Sequence, residues 1–79
     1  MAKFLVEIRA SGDGNKAFTE YERVEDTDHD KAALSAWLLL VDRVLQTPAL
    51  REKVSQFVTP PCVDKGLKLM YVHRCTLLA

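Results

Sequence analysis

The chain has 79 residues, 48% hydrophobic and 28% charged, with 11 Lys plus Arg against 11 Asp plus Glu. That length fits one small domain over residues 1–79, burying only about 60% of its unfolded surface, and the apolar share excludes wholesale disorder. Zero net charge excludes a global field that would draw the chain onto nucleic acid or an anionic membrane.

Lys3 is followed by only three apolar residues before Glu7, so no secretory signal is expected. The longest purely apolar run, Ala36 to Val41, is far below the ~20 residues that span a bilayer. Cys62 and Cys75 form no C-x-x-C pair and no disulfide framework. The expectation is a cytoplasmic protein with reduced thiols, in the host cytoplasm if the chain is viral.

Phe4 to Ala10 alternates, with Phe4, Val6 and Ile8 on one face and Leu5, Glu7 and Arg9 on the other, which reads as a half-buried strand. Ser11-Gly12-Asp13-Gly14-Asn15 is turn chemistry. Ala17 to Val24 reads as a second strand, whose Glu20, Glu22 and Arg23 suit an edge.

Thr27 is expected to cap a helix, with Asp26, Asp28 and Asp30 compensating its dipole. That helix runs to about Gln46. Thr47-Pro48 starts a second helix carrying Leu50, Val54, Phe57 and Val58, and Pro60-Pro61 ends it. Asp64-Lys65-Gly66 reads as a turn, and Leu67 to Leu78 as one long strand. On that strand Leu67, Leu69, Tyr71, His73, Cys75 and Leu77 would share a face. The layout is α+β in the order β-β-α-α-β, with two helices packed on one face of a three-stranded sheet.

Chemistry-bearing patterns are incomplete. Asp26-x-Asp28-x-Asp30 opens like a calcium loop, but Lys31 stands where glycine is needed and Trp37 where a bidentate glutamate should close the shell. His73 and Cys75 supply at most two zinc ligands. Cys62 follows Pro60-Pro61 with no element to activate it as the nucleophile of a Cys-His pair. Gly12-Asp13-Gly14 lacks the spacing of a phosphate loop. No metal, cofactor or enzymatic activity is expected.

Between Ala32 and Leu45 every residue except Ser35, Asp42 and Arg43 is apolar. At about 100° per residue, Asp28, Lys31, Ser35, Asp42 and Gln46 form one stripe. Trp37, Val44, Ala33 and Val41 lie opposite and are expected to face the sheet, with Leu34, Leu40 and Leu45 widening the core face and Trp37 as its anchor. Leu39 falls inside the polar stripe and Leu38 at its border. Apolar residues in a polar stripe signal a contact surface, so Leu38, Leu39, Asp42 and Arg43 are the candidate partner-binding residues.

The opening KFLVEIRASGDGNKAF, followed after a second strand by a helix, resembles antitoxins of the HicB type over about half of the chain. Their Pro-x-Leu-x-Gly-Cys-like segment is absent, and Glu25-Asp26-Thr27-Asp28 stands in its place, so the chain is not assigned to them. In size and lack of chemistry it is similar to the small inhibitors that phages make against host systems, anti-CRISPR proteins included. The expected function is non-enzymatic binding of a protein partner, as such an inhibitor, with self-association into a homo-oligomer. The alternative is a nucleic-acid-associated accessory or antitoxin-like module using Arg9, Lys16, Arg23, Lys68 or Arg74.

Overall fold

The computed structural model describes residues 1–79. The elements are β1 (Ala2–Ser11), β2 (Ala17–Asp26), α1 (His29–Gln46), α2 (Pro48–Ser55), α3 (Val63–Lys68) and β3 (Met70–Leu77). The strands make one antiparallel sheet in the order β2-β1-β3. The fold is α+β and keeps the expected strand-strand-helix-helix-strand order, with one extra short helix before the last strand.

The alternation of β1 survives. Phe4, Val6, Ile8 and Ala10 are buried on the helix side, and their register partners on β2 are Val24, Glu22, Glu20 and Phe18. The hairpin uses Gly14 at φ 68, where glycine alone is unstrained. Gly12 serves packing. Its missing Cβ would lie 2.1 Å from the Phe57 carbonyl oxygen, and the neighbouring Asp13 N–H donates to that oxygen at 2.9 Å. The hairpin is thereby latched to the segment that follows α2.

The cap of α1 is Asp28 and not Thr27. Asp28 Oδ1 accepts from the Lys31 N–H at 2.9 Å, the third amide of the helix, which a side chain at the preceding position reaches best. Asp26 ties strand to helix, accepting from the Thr27 N–H and the Ser35 hydroxyl, each at 2.8 Å. These bonds, the Thr27 amide first, hold the Asp26 carboxyl below its ordinary 3.8. A carboxylate lowered in the fold stabilises above its unfolded value and loses that contribution as pH falls through the folded one. Acid titration should therefore show a destabilising limb below pH 3.8 that is flatter in Asp26→Asn.

The rotation of α1 is the main correction. Ala32, Ala36, Leu40 and Val44 are fully buried, so the core stripe lies roughly a fifth of a turn from the one expected on the 100° wheel. Trp37 and Val41 are only half-buried, at the border of the core, and Trp37 is no central anchor. Leu34 and Leu45, expected in the core, are 60% and 43% exposed. Two alanines give the helix backbone its close approach to the sheet, where Trp37 would hold it away. Polar ties on the β2 side, through Ser35 and Arg43, set the same rotation.

The last third of the chain also departs from expectation. Asp64-Lys65-Gly66 is not a turn and Leu67 is not strand: both lie in α3. Helix α2 ends at Ser55, before Phe57 and Val58, and the Thr59–Pro60 peptide is cis. In β3 a bulge opposite Glu7 and Ile8 sets Val72 against Ile8 and Arg74 against Glu7. The extra residue, His73, switches the alternation. Met70, Val72, Cys75 and Leu77 therefore share the helix side, while Tyr71, Arg74 and Thr76 share the open side. The expected single face of Tyr71, His73 and Cys75 does not exist.

Candidate functional site

Two surfaces remain after folding. The first is the outer face of α1. With Ala32, Ala36, Leu40 and Val44 against the sheet, the wheel turns Leu34, Leu38 and Leu45 outward, with Val41 between them and Asp42 alongside. Leu38 is 53% exposed and Leu39 48%. The structure thus leaves Leu38, Leu39 and Asp42 accessible, as the sequence suggested. It places Leu39 toward the β2 side of the ridge and adds Leu34 and Leu45, which sequence reasoning had assigned to the core. Their signal was readable: Leu34, Leu38, Val41 and Leu45 are spaced four, three and four residues apart, the interval of an apolar seam.

Arg43 belongs to the scaffold. Its guanidinium donates to Glu22 on β2 and lies 3.6 Å from the Glu20 carboxylate. The two acids read as edge charges therefore point to the helix side and anchor α1 there. Because the guanidinium is half exposed, Arg43→Ala should cost only about 1 kcal/mol in urea unfolding. A loss several times larger would mean that the pair, and not apolar packing, seats the helix.

The second surface is the open sheet face. Register places Arg9 between Thr19 and Tyr71, Glu7 between Tyr21 and Arg74, and Leu5 between Arg23 and Thr76. Tyr21 and Tyr71 are 55% and 47% exposed. Arg9, Arg23 and Arg74 therefore meet here, joined by Lys3, but Glu7 holds Arg9 at 2.6 Å and Glu25 shares the face. Lys16 is elsewhere, donating to the Gln56 carbonyl at 3.0 Å, and Lys68 ends α3.

The remaining chemistry-bearing residues have structural employment. Asp26 and Asp28 serve the start of α1. His29 lies edge-on to Phe4 at 4.8 Å, and its carbonyl accepts from the Cys75 thiol at 3.7 Å. Burial first, and Asp30 second, push that thiol upward in pKa, away from nucleophile chemistry. Cys62 stands at the start of α3, its N–H donating to the Ser55 carbonyl at 3.0 Å. His/Cys/Asp/Glu side chains nowhere gather in a group of three or more that could hold a metal ion. The surface depressions are shallow and mixed, such as the one bounded by Lys3, Phe4, Arg23 and Leu78. No helix is long and apolar enough to cross a membrane.

Compared with known protein families, curated proteins and solved structures, the chain matches none.

Proposed function

We propose that the chain is a non-enzymatic protein-binding module acting in the cytoplasm, with the outer face of α1 as its contact surface. The class that suits its size and chemistry is a small inhibitor of the kind phages direct at host systems. One observation carries the reading: Leu34, Leu38 and Leu45 are all 43% exposed or more on one face of a single helix, with Leu39 48% exposed beside them toward β2. Isolated exposed leucines are ordinary, but several in line on one face mark an interaction site. Binding by such a ridge needs no reacting group, only a partner groove and the release of water from apolar surface.

A photo-crosslinking residue at position 38, expressed in the cell, tests this. The reading expects covalent protein adducts from position 38 and none from position 65, where Lys65 is exposed on α3. Absence of any adduct at 38 would remove it.

The open sheet face favours a second reading. Two exposed tyrosines among Arg9, Arg23, Arg74 and Lys3 resemble the stacking-plus-cation surface that holds single-stranded nucleic acid. Fluorescence anisotropy with a labelled single-stranded oligonucleotide, at low and moderate salt, discriminates. Salt-sensitive binding lost in Tyr21→Ala/Tyr71→Ala would promote this reading over the first.

A further inference from the structure

We infer that the occupant of the α1 ridge is a second copy of this chain, docked as an antiparallel helix pair about a two-fold axis. The inference rests on the protein-binding reading and names the partner on this face, so a host target would meet the remaining surface of the pair. Leu34, Leu38, Val41 and Leu45 recur at four, three and four residues, on the helix face opposite the buried Ala32, Ala36, Leu40 and Val44. A ridge of that interval fits best into another ridge of the same interval, each side chain entering a gap between four others. A two-fold contact makes one patch its own complement and closes at two copies.

Polar residues choose the direction. Lys31 precedes Leu34 by three residues and continues the seam. In a parallel pair it would face the partner's Lys31, a like-charge contact. In an antiparallel pair it lies beside the carboxyl end of the partner's α1, where unpaired carbonyls are partially negative. Leu34 then meets the partner's Leu45 and Leu38 meets the partner's Val41. Asp42 falls near the partner's Ser35 instead of a second aspartate.

The area sits at the lower limit for a specific pair. Leu34, Leu38 and Leu45 at 60%, 53% and 43% exposure, with the outward parts of Trp37 and Val41, make an apolar patch of about 400 Å², within the range of the largest patch on a typical monomer. Counted from both copies the apolar part is about 800 Å², and the flanking Lys31, Ser35 and Asp42 must be covered as well for the contact to reach the ~1,000 Å² total of a small specific interface. Such a pair leaves both sheets, and both Arg43 anchors, undisturbed.

Sedimentation equilibrium of the full chain at tens of micromolar is the test. The expected mass is twice the 8.9 kDa of one chain. Leu38→Asp should halve it while the circular dichroism spectrum stays native and the melting temperature falls only to a value that no longer depends on concentration, because the introduced carboxylate is exposed in the monomer but stranded in the pair. Leu34→Asp is the second variant and should do the same. For direction, a mixture of Leu34→Cys and Leu45→Cys chains should form a disulfide between the two introduced thiols, identified by peptide mass, whereas Leu34→Cys alone should not. A single-chain mass for the native sequence, a double mass retained by the folded aspartate variants, or cross-linking of Leu34→Cys with itself would overturn the inference. A single-chain mass with adducts from position 38 to another protein overturns only the choice of occupant, and absence of every adduct removes the protein-binding reading as well.

Discussion

Gly66→Ala is expected to destabilise the fold by about 3 kcal/mol, the upper end of overpacking costs. Helix propensity alone argues the opposite sign, since alanine is favoured over glycine by about 1 kcal/mol inside a helix. Packing wins because of what lies opposite. A Cβ on Gly66 would stand 2.1 Å from the Val54 carbonyl oxygen, 2.8 Å from Val54 Cγ1 and 2.9 Å from the Val54 carbonyl carbon. Backbone cannot turn aside as a long side chain can. The same carbonyl accepts the Phe57 N–H at 3.3 Å, so moving it loosens the end of α2. Phe57 in turn stacks on Phe18 with ring centroids 5.0 Å apart and receives the hairpin through Asp13. Urea unfolding should show a clear fall in midpoint with little change in slope. A midpoint equal to or above that of the native chain would mean that α3 does not approach α2 so closely.

Leu40→Ala should cost about 3 kcal/mol, the range for emptying a fully buried leucine site. Leu40 is 0% exposed in the central stripe of α1 and belongs to the 13-residue core cluster shared by sheet and helices. In a domain of this size total stability is small, so the loss removes much of it. Leu34→Ala, six residues earlier on the same helix but 60% exposed in the single chain, should change stability by no more than about 0.5 kcal/mol when both variants are unfolded at a dilution where the chain is single. The contrast reads the rotation of α1 directly. Comparable losses at both positions would mean that the helix sits as the wheel alone suggested, with Leu34 inside.

These two experiments bear on the parts of the structure that local pattern could not settle. The sequence by itself determined the β1 alternation, the glycine hairpin, the start of α2 at Thr47-Pro48 and the end of α1 at Gln46. Each rests on near-neighbour physics: a two-residue period, a positive φ, a proline at the first helical position. It also showed Leu38 and Leu39 as candidates for exposure. It misread α3, because Asp-Lys-Gly is a turn signal whenever the glycine is free, and here Gly66 is chosen for its contact with Val54. It misassigned faces on β3, because a bulge at His73 leaves no mark in an alternating apolar pattern.

Only the tertiary structure decided the strand order β2-β1-β3 and which side of α1 is outside. An almost wholly apolar helix has several faces that satisfy a wheel. The choice among them depends on small residues at the closest approach, Ala32 and Ala36, and on Arg43 reaching Glu20 and Glu22 across 21 or more positions of chain. Periodicity ranks faces by hydrophobicity, whereas close packing ranks them by shape, and that difference turned Leu34 and Leu45 from expected core into exposed ridge.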